Sequence, residues 1–223
     1  MKEERNSIIS PRAAILAVVA TFVLAQFSVI VLFLLFGFEV TLAFSELLLI
    51  IVPLGYMLYK KVNIRSYIGL DAKPLKILLG LALGGLVFLL NILISVLLYT
   101  LFGPSAAIEE SNAKIIETST SPSGLIAVIT ALSLAGICEE FTFRGFLQNA
   151  INSRYSFAVA LFVSSLAFGL FHFDPQGIYT LSAFLIGLVL GLIYHRWQSY
   201  VVSAVVHSTV NLIAFALIFL IQV

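Results

Sequence analysis

The feature that most constrains this chain is a series of long apolar runs with almost no interruption. A helix of about 20 apolar residues crosses the hydrocarbon core of a bilayer. Seven runs come close to that length: 13–38, 41–59, 77–102, 125–147, 157–173, 178–194 and 201–223. Hydrocarbon cannot satisfy open backbone groups, and the runs do not alternate every second residue, so helices are predicted rather than barrel strands. The predicted fold class is all-α, a polytopic transmembrane helix bundle of about seven spans.

Composition supports a membrane location and excludes one class of partner. Of the 223 residues, 61% are hydrophobic and 10% are charged, against about 25% charged in soluble domains. The net charge of +1 provides no basic surface for nucleic acid. We therefore expect a multi-pass protein of the cell membrane, in contact with lipid and without a nucleic-acid partner.

The basic residues predict an orientation. Cytoplasmic loops of membrane proteins carry an excess of Lys and Arg. Here ten basic residues fall on one side: Lys2, Arg5, Arg12, Lys60, Lys61, Arg65, Lys73, Lys76, Arg154 and Arg196. Only Lys114 falls on the other side. The N-terminus is therefore predicted to be cytoplasmic, with the first run kept as a signal anchor and residues 1–223 forming a single membrane domain.

A few polar residues interrupt the apolar runs. A charge at the centre of a membrane helix costs on the order of 2.5–3.5 kcal/mol, so such residues are functional candidates. The set comprises Glu46, Glu139, Glu140, Arg144, His172 and His207, with Asn91 and Asn211 as uncharged companions.

The segment "AGICEEFTFRG" places three of these charges within one run. In a helix, Glu140 and Arg144 are four residues apart and can pair on one face. Glu139 is rotated from Glu140 by about 100° around the helix axis, so it is less well placed to share Arg144. Glu139 is therefore predicted to have another task.

Two later runs each contribute a histidine. In "HSTVN", His207 and Asn211 are four residues apart and project from the same helix face. There they can donate hydrogen bonds to a single oxygen, or the imidazole can bind a metal. His172 ends "FGLFH" on another run. With Glu139 these residues are an adequate set for hydrolysis, although each histidine could also be a satisfied structural residue and the Glu–Arg pair a structural clamp.

The three motifs together resemble a known family. "EEFTFR" fits EExxxR, "FGLFH" fits FxxxH and "HSTVN" fits HxxxN, in the order found in the CPBP (Abi) intramembrane proteases, which include CAAX prenyl endoproteases and bacteriocin-processing proteins. The resemblance covers residues 125–211. It implies a peptidase active site buried below the membrane surface and formed by Glu139, Glu140, Arg144, His172, His207 and Asn211.

Peptide hydrolysis requires an activated water and donors for the oxyanion. We expect Glu139 to be the general base and His172 to hold or polarise the water. His207 and Asn211 would stabilise the oxyanion, and the neighbouring Glu–Arg pair would hold Glu139 in place. This preferred scheme needs no cofactor. The alternative is a zinc ion bound by Glu139, His172 and His207, with one position left open for water.

The depths of these residues present a difficulty. At about 1.5 Å per residue, Glu139 lies about 12 Å and His207 about 9 Å from the cytoplasmic ends of their runs, whereas His172 lies about 22 Å from its end. Straight, fully spanning helices would not bring the three together. Either the fifth helix is tilted or begins deep in the membrane, or the boundaries around 148–173 are wrong.

The predicted function is an intramembrane endopeptidase acting on a membrane-associated or lipidated protein or peptide, such as a prenylated tail or a bacteriocin precursor. One alternative is a catalytically silent scaffold or regulator of the same fold. Another is a proton-coupled transporter, since Glu, His and Arg also build such pathways. The outer half of the fourth run, "LIAVITALSLAGI", offers only small hydroxyls for a path across the membrane.

Overall fold

The structure is a computed structural model that describes residues 9–222. Lys2, Arg5 and Val223, which belong to the predicted basic N-terminus and to the end of the last predicted span, lie outside the described residues. Between residues 9 and 222 every regular element is helical, which confirms the all-α fold class.

Eleven α-helices follow one another along the described chain. They are α1 (Pro11–Phe36), α2 (Phe38–Phe44), α3 (Leu48–Tyr59), α4 (Ile64–Ile68), α5 (Pro74–Phe102), α6 (Ala106–Thr118), α7 (Pro122–Glu140), α8 (Asn149–Asn152), α9 (Phe157–Phe171), α10 (Ile178–Trp197) and α11 (Tyr200–Gln222). A 3₁₀ turn, Ser45–Leu47, joins α2 to α3, and a π-helix, Phe141–Gln148, joins α7 to α8.

Six of the described segments are long and apolar enough to cross a membrane. They are α1, the joined α2–α3, α5, the joined α7–α8, α10 and α11. The predicted fifth span is the shorter apolar helix α9. The protein is therefore a multi-pass membrane protein, close to the predicted seven spans.

Two parts of the chain differ from the prediction. The fourth span does not end at residue 147 but continues to Asn152, because the π-helix carries the hydrogen-bonded backbone onward into α8. The polar stretch between the third and fourth spans contains α6, whose first turn is capped by the side chain of Ser105. A serine side chain at this position satisfies a backbone N–H group that the helix itself leaves open.

Glycines bring α5 close to α11 and α10 close to α9. A Cβ atom at Gly80 would lie 2.7 Å from the side chain of Val205, and one at Gly84 would lie 2.6 Å from Thr209. The same role in close packing holds for Gly187, which faces Ser165 of α9. These close approaches set α5 firmly against α11.

The π-helix lies in the protein interior, and all eight of its residues are buried. The ring of Phe143 contacts Phe168 and Phe171 edge to face, and the hydroxyl of Thr142 donates to the carbonyl of Leu49. Gln148 donates to the carbonyl of Gly191. These contacts hold the segment that follows the two glutamates against α3, α9 and α10.

The corrected boundaries remove the difficulty of depth. Along α7–α8, Glu139 lies ~20 Å before Asn152, and His172 lies ~22 Å beyond the start of α9 at Phe157. The two segments run antiparallel, so both residues reach the same level. The backbone of Ser208 lies against Gly136, so α11 packs beside α7 with His207 near the level of Glu139.

Candidate active site

The side chain of Glu139 lies between two histidines. Its Oε1 atom is 3.8 Å from Nε2 of His172, and its Oε2 atom is 3.6 Å from Nε2 of His207. The three residues come from α7, the end of α9 and α11, so only the folded chain brings them together. Glu139 is buried, with 7% of its surface exposed, so its carboxylate is almost entirely withdrawn from bulk solvent.

Glu140 pairs with Arg144, as its spacing predicts. Oε1 of Glu140 is 2.8 Å from Nη1 of Arg144, and both side chains are fully buried. The same oxygen is 3.2 Å from Nδ1 of His207. The pair therefore contacts His207, whereas the sequence predicted that it would hold Glu139. The two glutamates point in different directions from α7, and the imidazole presents one nitrogen to each.

The buried charge of Arg144 has further partners. Its Nη2 atom donates to the carbonyl of Gly187 at 3.1 Å. Its guanidinium also lies over the ring of Phe168, with 4.4 Å between Cζ and the ring centroid. A buried cation is tolerated only when such partners replace water. Arg144 thus connects α7, α9 and α10 behind the two glutamates.

The tautomer of His172 follows from its hydrogen bond. Nδ1 of His172 is 2.9 Å from the carbonyl oxygen of Phe168, and since a carbonyl only accepts, Nδ1 must carry the hydrogen. In neutral His172 the Nε2 atom is then an acceptor, and this is the atom that faces Glu139. The turn after His172 is fixed as well, because the hydroxyl of Thr180 donates to the carbonyl of His172 and its backbone N–H donates to the carboxylate of Asp174.

Three of the predicted site residues share one cavity. His172, His207 and Asn211 line a space of about 160 Å³, together with Asn91 and Tyr179. The structure thus places His207 and Asn211 on the same side of α11, as their spacing predicts. The carboxamide of Asn211 donates to the carbonyl of Leu132 at 3.4 Å, near the upper limit for a hydrogen bond.

Sequence reasoning overlooked several residues around this cavity. Tyr179 packs its ring edge to face against His172, with 5.2 Å between the ring centroids. Thr180 and Asp174 order the turn after His172. In the short segment "FDPQGIYT" only the Pro and the Gly indicated a turn, and nothing pointed to these two residues.

Glu46, which the sequence did single out, lies in the 3₁₀ turn that packs against α7. The apolar setting of Glu46 was the signal that singled it out.

The zinc alternative would use Glu139, His172 and His207, whose facing donor atoms lie 3.6 to 3.8 Å apart. Between residues 9 and 222, no group of three or more His, Cys, Asp or Glu side chains is arranged to hold a metal ion. The carboxylate of Glu139 instead faces each histidine with a different oxygen atom.

Comparison with known proteins gives one match. Residues 121–213 match the family described as type II CAAX prenyl endopeptidase Rce1-like. This segment is therefore similar to that family. The match confirms the resemblance that the three motifs carry and covers nearly the same residues. No curated protein and no solved structure matches the chain.

The Rce1-like segment covers less than half of the chain. It begins just before α7 and extends into α11, so it contains all six residues that the motifs predict. Helices α1 to α6 lie outside it, including Asn91, which nevertheless lines the same cavity as His172 and His207. The site therefore has one wall that the family comparison does not describe.

Proposed function

We propose that this protein is an intramembrane endopeptidase that hydrolyses a peptide bond of a membrane-associated or lipidated protein or peptide. The observation that carries the proposal is the carboxylate of Glu139 between the Nε2 atoms of His172 and His207. A family match to prenyl endopeptidases over the same residues supports it. The active site then lies inside the protein, beside the cavity that His172, His207 and Asn211 line.

The water to be activated belongs between Glu139 and His172. Their separation of 3.8 Å is too long for a direct hydrogen bond, and a water molecule can bridge polar groups at such distances. One O–H of that water donates to Nε2 of His172. The other gives its proton to Glu139 as the oxygen attacks the carbonyl carbon. Glu139 later passes that proton to the leaving nitrogen as the C–N bond breaks, leaving a free carboxyl group and a free amine.

His207 and Asn211 supply donors for the oxyanion. Because Nδ1 of His207 faces the carboxylate of Glu140 at 3.2 Å, it carries a hydrogen, and only a doubly protonated ring can also donate through Nε2. Removing one oxyanion donor of this kind costs roughly 10²- to 10³-fold in kcat. The Glu140–Arg144 pair acts through His207, as a positioning element.

An isoprenoid-carrying substrate suits a second feature of the structure. An apolar cavity of about 390 Å³ lies between α1 and α9 and is lined by Val18, Phe22 and Phe171 among others. Phe171 directly precedes His172, so a lipid chain in this cavity would lie next to the proposed catalytic residues. We propose a prenylated C-terminal tail as the substrate and the cell membrane as the location. A bacteriocin precursor is the competing substrate.

The test compares the wild-type protein with Glu139→Gln in liposomes. The probe is a farnesylated peptide ending in Cys, two aliphatic residues and Met, the sequence type on which prenylation occurs. The same peptide without the farnesyl group is the second substrate. We expect the wild type to cleave the farnesylated peptide and the variant to be slower by about 10²- to 10⁴-fold, the usual contribution of a general base.

The matched control is Glu110→Gln, which removes an exposed carboxylate on α6 and should leave cleavage unchanged. New protein termini in membranes of cells making the wild type, but not Glu139→Gln, would identify the natural substrate. Equal cleavage by both proteins would refute the role of Glu139. Absence of cleavage, together with identical termini, would refute the endopeptidase and favour the scaffold.

A further inference from the structure

We propose that Asn91 of α5 is a substrate-positioning residue that holds the main chain of the peptide in the site cavity. The inference rests on the proposed endopeptidase function and adds a residue outside the Rce1-like segment. Its ligand is defined by chemistry: an extended peptide backbone, which offers N–H donors and C=O acceptors in alternation.

Asn91 lies where two cavities meet. It lines the space of about 160 Å³ that contains His172, His207 and Asn211. It also lines a second space of about 310 Å³ that extends to Asn112 on α6. A peptide that presents its scissile bond to the histidines would continue past Asn91 into the second space.

The lining of the second space suits a peptide better than a lipid chain. Hydroxyls and carboxamides from four helices face it, contributed by Asn91, Ser95, Ser111, Asn112, Ser182 and Asn211. An acyl or isoprenoid chain would offer none of these groups a hydrogen bond. A peptide backbone can hydrogen-bond to them. The polar cavity would therefore bind the peptide part of the substrate, and the apolar cavity would bind its lipid part.

The side chain of Asn91 is available for such a bond. Nothing else in the middle of the 29-residue helix α5 carries a carboxamide or a charge, and Leu90 and Ile92 on either side are exposed. In the part of the chain that the structure describes, no hydrogen bond to the Asn91 side chain is found. A carboxamide offers two donors and an accepting oxygen, which matches a backbone amide. An unpaired amide in an apolar helix is costly, and substrate binding would offset that cost.

The packing of α5 also fixes where Asn91 stands. Gly84, two helical turns before it, meets Thr209 of α11 at closest approach, and Thr209 lies between His207 and Asn211 in the sequence. The distance from Asn91 to the proposed oxyanion donors is therefore set by a close helix contact. Rigid supporting contacts of this kind are what a positioning group needs.

The test uses Asn91→Leu, which keeps a similar volume and removes the hydrogen bonds, and Asn91→Gln, which keeps the carboxamide. Thr100→Val is the matched control, because Thr100 is an exposed polar residue of α5 bonded to its own Val96 carbonyl. Cleavage of the farnesylated peptide gives kcat and KM. Binding of the same peptide is measured on proteins that also carry Glu139→Gln.

We expect Asn91→Leu to lower kcat/KM by about 10-fold, the loss of one hydrogen bond, mainly through a higher KM. Binding to the Glu139→Gln background should weaken by a similar factor. Asn91→Gln should recover part of the loss, and Thr100→Val should stay within about twofold of the wild type.

Wild-type values of KM and binding for Asn91→Leu would overturn the inference while leaving the endopeptidase intact. A loss shared by Asn91→Leu and Asn91→Gln, appearing in kcat and in thermal stability but not in KM or peptide binding, would show a structural role and overturn it too. If the wild type neither binds nor cleaves the peptide, and cellular termini are unchanged, the endopeptidase itself fails and the role of Asn91 fails with it.

Discussion

Oε1 of Glu140 lies 3.2 Å from Nδ1 of His207. This contact joins the EExxxR motif on α7 to the HxxxN motif on α11, across 67 positions of the chain. It leaves the opposite ring nitrogen directed at Glu139, 3.6 Å away. The two adjacent glutamates therefore contact the same imidazole from opposite edges. We expect substitutions at the two positions to have different effects.

Replacing Glu140 with Gln tests its proposed positioning role. The amide keeps the shape but loses the carboxylate charge that faces Nδ1 of His207. We expect kcat to fall by about 10- to 100-fold with KM little changed, since oxyanion stabilisation acts in the transition state. Steady-state cleavage of the farnesylated peptide measures both constants. A change confined to KM would contradict this role.

Removing the charge of Arg144 should mainly affect stability. Arg144→Met leaves the fully buried carboxylate of Glu140 without its cation, and breaking a buried pair in this way costs about 3–5 kcal/mol. Equilibrium unfolding in mixed micelles of a mild detergent and a denaturing one measures the loss. Arg154→Met, at an exposed loop position, is the control. Equal stabilities of the two variants would show that Arg144 is not a structural clamp.

Neighbouring glycines of α5 provide a test of helix packing. In Gly84→Ala the new methyl group would lie 2.6 Å from Cβ of Thr209, whereas at Gly85 it would meet nothing within 4 Å. Overpacking of this kind costs roughly 1–3 kcal/mol. We expect Gly84→Ala to lower both the thermal midpoint and the cleavage rate, because the helix carrying His207 must move. Gly85→Ala should preserve both, and a loss there as large as at Gly84 would refute this packing argument.

Chelation separates the two catalytic schemes. In the preferred scheme Glu139 activates the water without a metal, so cleavage by the purified protein should persist after treatment with EDTA and with 1,10-phenanthroline. Metal content of the purified protein, measured by mass spectrometry, accompanies the assay. Loss of activity that is restored by added zinc would overturn the metal-free scheme and favour zinc at Glu139, His172 and His207.

The predicted orientation can be tested by labelling single introduced cysteines. Cys138 is the only cysteine of the sequence and is buried, so it should not react with a membrane-impermeant maleimide in the folded protein. Lys61→Cys should be labelled only after the membrane is permeabilised, so that the reagent reaches the cytoplasmic side. Glu110→Cys on α6 should be labelled in intact cells. The reverse pattern would invert the topology derived from the basic loops.

The local sequence was sufficient for the helical fold and for pairs within one helix. Apolar runs predict membrane helices because hydrocarbon allows few other structures. The contact of Glu140 with Arg144 and the shared face of His207 and Asn211 were both predicted from a spacing of four residues in a helix. The first holds although Arg144 lies in the π-helix. The order of the three motifs along the chain resembles a known family, and the match over residues 121–213 agrees with that resemblance.

Tertiary structure decided how the motifs meet. Whether Glu139 or Glu140 would contact Nδ1 of His207 depends on the relative rotation and depth of α7 and α11, which no local period specifies. The extension of α7 through a π-helix to Asn152 depends on the buried contacts of that segment, and it is what brings His172 level with Glu139. The position of Asn91 on the cavity wall was likewise not predicted from the sequence. Contacts between residues far apart in the chain are set by packing, and the sequence near each residue does not encode its distant neighbours.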